Sequence, residues 1–151
     1  MLASLLNSSS APASVPAPEV RKEITDRLSE LVESLEAHPA WTPTNPPRSL
    51  FFIWDFVKRS HYIMTEFDNI SNGRPLKHPE QIPSNNGATG ERAAALSFQD
   101  VCTRSMTVTE MIQNPRMLVM IGLSNVDFND DIRQRSRALS DAITSVTSPS
   151  S

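Results

Sequence analysis

PEVRKEITDRLSELVESLEAHP, residues 18–39, decides the fold class. Val20, Ile24, Leu28, Leu31, Val32 and Leu35 recur in steps of three and four. That is a single apolar stripe along a helix of 3.6 residues per turn. Glu23, Asp26, Arg27, Glu30, Glu33 and Glu36 occupy the other face, with Glu23 and Arg27 a favourable pair one turn apart. Pro18 suits a first turn, where its missing N–H leaves nothing unpaired, and Glu19 complements the positive end of the helix dipole. His38-Pro39 ends the element, because a residue before proline is pushed out of the helical region.

Residues 39–47 hold Pro39, Pro43, Pro46 and Pro47, so this connector is expected to be extended and stiff. Trp41 inside it is expected to pack back onto a helix as an anchor. A second helix is expected over residues 48–72, from Leu50, Ile53, Trp54, Val57, His61, Met64, Phe67 and Ile70. Phe51, Phe52 and Phe56 make its first half apolar nearly all round. Such a helix is either the buried centre of a domain or covered by a partner. Gly73 is its natural C-cap. Residues 73–90 then carry three of the four glycines with Pro75, Pro79 and Pro83. A loop this long inside a compact domain is unusual, and it is expected to be disordered or loosely draped.

A third helix is expected over residues 90–114, with Ala94, Phe98, Val101, Val108 and Ile112 on one face and Cys102 beside it. Thr103, Thr107 and Thr109 weaken its middle. After Pro115, the apolar piece 117–123 fits helix or strand by periodicity; helix is preferred because a lone strand has no partner. A last helix is expected over residues 129–146, started by Asp130 and Asp131 and striped by Ile132, Leu139, Ile143 and Val146. The expected fold is therefore all-α: an irregular bundle of four to five helices forming one domain over residues 19–146. It is preceded by a disordered Ser/Ala/Pro-rich leader, 1–18, interrupted by the long central loop 73–90, and followed by a frayed tail, 147–151.

Composition bounds the function classes. Leu, Ile, Val and Phe are 36 of 151 residues, above the roughly one fifth below which chains stay unfolded. The net charge is -3 and is spread evenly, so no half is a basic tail for a polyanion. One Cys excludes an internal disulfide and a cysteine-based zinc site. No apolar run approaches the ~20 residues that span a bilayer. The apolar Leu2, Leu5 and Leu6 lack the positive flank of a signal peptide, which points to the cytoplasm or nucleus.

Sharper motifs fail on their own chemistry. Asn125, Asp127, Asn129 and Asp131 alternate like the start of a calcium loop, but the sixth and twelfth positions are Asp130 and Ser136 instead of Gly and Glu; a capping turn is expected. Asn86-Gly87-Ala88-Thr89-Gly90 has no preceding strand and no following Lys, as a phosphate cradle requires. His38, His61 and His78 show no ligand spacing; His61 is expected to be a buried, hydrogen-bonded histidine. Cys102 could be a nucleophile only beside a His, with His61 the helical candidate, and a small buried hydrophobe is expected instead. Arg133 and Arg137 share a helix face, offset by Asp130, Asp131 and Asp141, and a solvated face is expected.

Trp54-Asp55-Phe56-Val57-Lys58, followed by Arg92 with three alanines leading to Val101-Cys102-Thr103, resembles the helical core of coat proteins from flexuous filamentous plant viruses. The order and separation are similar over about a third of the chain. Where that family continues with a basic and aromatic run, this chain has Arg104-Ser105-Met106-Thr107, and the later half that contributes to the RNA groove has no visible counterpart. The resemblance implies RNA encapsidation without catalysis, with Arg92 as a phosphate contact.

The expected function is a non-enzymatic interaction or assembly protein using an aromatic helix surface. Trp41, Phe51, Phe52, Trp54 and Phe56 are the expected partner-binding residues, a protein or a second copy the expected partner. No cofactor, metal, membrane or small-molecule substrate is indicated. The alternative is a small helical nucleic-acid-binding or coat-type protein acting through Arg92, Arg133 and Arg137, which the charge distribution does not support.

Overall fold

A computed structural model describes residues 16–81, 89–116 and 126–147. Residues 148–151 of the expected tail and the piece 117–123 lie outside them, as do all but the last three residues of the expected leader; Thr147, the first residue of the expected frayed tail, is instead helical. Among the described residues the chain is all-helical, as its periodicity requires: α1 (Pro18–Glu36), α2 (Arg48–Thr65), α3 (Phe67–Ser71), α4 (Gly90–Gln113) and α5 (Val126–Thr147). No strand occurs among them.

The four long helices run up, down, up and down, each against its two neighbours in the ring α1–α2–α4–α5. Paired contacts fix the directions. Glu36 of α1 meets Trp54 of α2 at one end, and Arg21 meets Asp68 of α3 at the other. Ser34 bonds Asp131 while Glu30, one turn earlier, bonds Arg135, so α5 runs against α1. The apolar stripes read from sequence are the core. Ile24, Leu28, Leu31 and Leu35 of α1 meet Leu50, Ile53 and Ile63 of α2, Ile112 of α4 and Ile132 and Leu139 of α5 at full burial. α4 brings Ala93, Ala94, Ser97 and Ser105 to its buried side, small residues that let neighbouring backbones approach. Its threonines do not break it: Thr103 and Thr107 donate to carbonyls one turn back, those of Gln99 and Thr103.

Three expectations change. The helix expected over residues 48–72 is broken at Glu66, whose φ is -98° and ψ 9°. Met64, Phe67 and Ile70 step by three and three, and each such step turns a straight helix back by about 60°. An unbroken helix would carry Ile70 about 120° off the core face; the break resets the phase, and Phe67 and Ile70 are buried. Gly73 does cap α3, with φ +68°, and the Arg74 N–H bonds the Asn69 carbonyl at 2.8 Å. The start of the central loop is fastened rather than loosely draped. The Lys77 N–H donates to the buried Glu66 carboxylate at 3.3 Å and the His78 N–H to the Tyr62 hydroxyl at 2.6 Å. The bond from Asn69 at 2.6 Å, with that from Lys77, holds the Glu66 carboxyl below its ordinary range. Residues 82–88 of the loop lie outside the described residues. The connector after α1 is likewise not extended throughout. It opens as a turn in which the Trp41 N–H bonds the His38 carbonyl at 2.9 Å and the Ala40 N–H bonds His38 Nδ1 at 3.0 Å.

Candidate partner-binding surface

The aromatic residues singled out in the sequence do come together, in two groups on either side of the outer ridge of α2. The first is built on the connector. Its turn at His38 carries Trp41 back onto α2, where the two indoles lie 5.4 Å apart, centroid to centroid, tilted by 42°. Phe51, one turn before Trp54, completes the group at 5.5 Å. Trp54 Nε1–H donates to Glu36 at 2.8 Å, which ties the group to the end of α1, and the Lys58 ammonium stands 5.9 Å from the Trp54 ring. Glu36, Trp41, Pro43, Pro46, Phe51 and Trp54 line a groove of about 410 Å³, continued past Pro47 and Arg48 by a second hollow of about 480 Å³.

The second group is Phe52 and Phe56, one turn apart with rings at 5.2 Å. Phe56 leans onto α4, where the Arg104 guanidinium lies 5.5 Å from its ring and is held by Asp100. Helical spacing explains the split. Phe51 and Phe52 are neighbours in sequence and about 100° apart around the axis, so neither can follow Leu50 and Ile53 inward. Phe51 is 43% exposed and Phe52 49%. Trp41, Trp54 and Phe56 are half-buried and also pack against the core. The surplus of rings beyond one core stripe is therefore real, and its outermost members are two adjacent phenylalanines.

The remaining candidates lie elsewhere. Arg92 is exposed in the first turn of α4. Arg133 and Arg137 reach the opposite end of that helix: Arg133 Nε donates to the Ile112 carbonyl and Arg137 to the Gln113 side chain, both at 3.4 Å. Some 20 residues of helix, about 30 Å, separate them from Arg92, so the three are not one basic surface. Cations over the last carbonyls of a helix are favourable, and Gln113 answers them by donating to the Arg133 carbonyl and the Ser136 hydroxyl. Cys102, expected to be a small buried hydrophobe, is only partly buried, packed against the edge of the core, and burial pushes its thiol up to about 11, opposite to the shift of an activated nucleophile. His61 is half-buried; burial first, then Lys58, lowers its pKa, against a smaller effect of Asp26. The hydrogen bond expected of His61 is not formed with any described residue. The expected capping turn falls partly outside the described residues; Asp131 accepts instead from Ser34 of α1 at 2.7 Å and from Arg135 at 3.1 Å.

Sequence reasoning missed Glu36, Arg48, Asp55 and Arg104 at this surface. Arg48 was legible as the first charge before the phenylalanines, and Lys58 as one turn from Trp54. Arg104 and Glu36 were not, because they arrive from other helices. Among the described residues no group of acids, histidines and cysteine could hold a metal ion, and no helix is long and apolar enough to cross a membrane. No family model, curated protein or solved structure matches this chain.

Proposed function

We propose that this protein is a non-enzymatic interaction or assembly protein whose working surface is the aromatic face of α2 and its connector. One observation carries the reading: Phe51 and Phe52, 43% and 49% exposed, stand side by side on a helix whose other apolar residues are buried or half-buried. Exposed phenylalanines set among half-buried rings are costly for an isolated molecule, and covering them on association is favourable. The groove beside Trp41 extends the same face. The wide separation of Arg92 from Arg133 and Arg137 supports a protein ligand over a nucleic acid.

The test is native mass by light scattering, with helicity by circular dichroism, on the full chain and on Phe51→Ser/Phe52→Ser. The reading expects particles above the 16.7 kDa monomer that fall to monomer mass in the double variant at unchanged helicity. A parent chain that is monomeric and indistinguishable from the variant removes the reading.

A further inference from the structure

We infer that the partner of this face is a second copy of the chain, its α2 lying antiparallel about a twofold axis that passes between Phe51 and Phe52. This rests on the proposed function and names its ligand.

Leu50, Ile53, Val57, Ser60 and Met64 mark the buried side of α2. At about 100° per residue, the opposite ridge runs Arg48, Asp55, Arg59, with Phe51 and Phe52 flanking it on either side. Only the first half of that ridge is open. Further along, the segment through Lys77 and His78 lies over Tyr62 and Glu66. The uncovered piece is thus about two turns long and centred on the two exposed rings.

Its charge pattern reads the same when reversed with sign exchanged. Arg48 and Asp55 each lie three and a half residues, about 5 Å along the axis, from the midpoint between Phe51 and Phe52. An antiparallel twofold pair therefore places Arg48 opposite the partner's Asp55 twice and, because the dyad keeps each flank of the ridge on its own side, Phe51 beside the partner's Phe51 and Phe52 beside the partner's Phe52. Such self-complementarity is what an isologous interface requires. A parallel pair would set Arg on Arg and Asp on Asp, which is repulsive. An unrelated partner would have no need of the symmetry.

The isolated chain leaves the positive end of this pattern unanswered. Arg48 is the first residue of α2, at the positive end of the helix dipole, and no acidic residue occupies the first turn. Arg48 forms no ion pair with any described residue. Asp55 is held by Arg59 at 3.1 Å and keeps lone pairs for a second donor. A carboxylate delivered by the second copy answers both the Arg48 charge and the helix end.

Sedimentation of the full chain tests this with Arg48→Asp, Asp55→Arg, the double variant and an equimolar mixture of the single variants. The parent is expected to be a dimer. Each single variant sets like charges together in its own homodimer and should dissociate at least tenfold more readily. The mixture restores opposite charges at both contacts and should re-form dimers, as should Arg48→Asp/Asp55→Arg by itself. Circular dichroism confirms that each variant keeps its helices. A parent that is monomeric throughout a dilution series overturns the pairing, as do single variants that dimerise like the parent or a mixture that stays monomeric. If Phe51→Ser/Phe52→Ser lowers the mass while the charge exchanges change nothing, the aromatic face binds but this register is wrong. If neither has an effect, both proposals fall.

Discussion

Removing the Trp41 ring should release the connector from α2 without unfolding the bundle. More than half of Trp41 is buried, against Trp54 at 5.4 Å and the end of α1. Half of a side chain of about 250 Å², at about 25 cal/mol per Å², gives ~3 kcal/mol as an upper estimate, and a tilted ring pair adds ~0.5–1.5 kcal/mol. Holding the connector ordered costs about 1–2 kcal/mol per residue, so losing the ring is enough to free residues 41–47. The bundle keeps its own α1–α2 contacts through Leu28, Leu31, Leu35, Leu50 and Ile53. The assay uses the composition: the chain has two tryptophans, both in this group, so Trp41→Ala leaves Trp54 as the sole reporter. Compared with Trp41→Phe, the Trp54 emission should shift to longer wavelength and acrylamide should quench it more strongly. Urea unfolding followed by far-ultraviolet circular dichroism should lose no more than ~3.5–4.5 kcal/mol. Unchanged Trp54 emission together with a greater loss of global stability would show that Trp41 belongs to the core and builds no separate surface, and the reasoning would be refuted.

Three further outcomes follow from particular contacts. Ser34→Ala should cost about 1 kcal/mol by removing a buried hydroxyl that donates to Asp131. Burial alone would raise the Asp131 carboxyl, but the bonds from Ser34 and Arg135 hold it below 3.8. Its contribution is therefore present above that value and fades as the pH falls through the lower folded value, a loss that should be shallower in Ser34→Ala; identical acid unfolding profiles contradict this. Ser105→Ala should stabilise by about 0.5–1 kcal/mol, because Ser105 is buried with no partner for its hydroxyl among the described residues and Ala is the better helix former; a loss above ~1 kcal/mol in urea unfolding speaks against it. Cys102 should react with iodoacetamide at neutral pH far more slowly than a free thiol peptide, since a shift from 9.0 to about 11 leaves about a hundredfold less thiolate; faster reaction would reopen the nucleophile reading.

Helix existence was legible wherever apolar residues kept helical steps, because any core-facing helix must line them up whatever it meets. Pro18, Gly73 and Pro115 marked boundaries through their own backbone restrictions, independent of tertiary context. The break at Glu66 was half legible: the three-residue steps from Met64 to Ile70 signalled it, but the spacing is also tolerated in a curved helix, and the loop carboxylate contact that stabilises the break is non-local. Arg133 and Arg137 read as a solvated face, since nothing local announces the carbonyls of another helix.

By itself the amino-acid order determined that this chain is helical, which face of each helix is greasy, and that α2 carries more rings than one core stripe can absorb. Only the tertiary structure decided which rings stay outside. Leu50, Ile53 and Val57 took the inward side of α2, Trp41 returned to cover Trp54, and residues 77–78 closed over Tyr62 and Glu66, leaving Phe51 and Phe52 uncovered. The physical reason is that periodicity counts apolar positions per turn, whereas exposure depends on which neighbours arrive, and those are set by contacts between residues far apart in the chain.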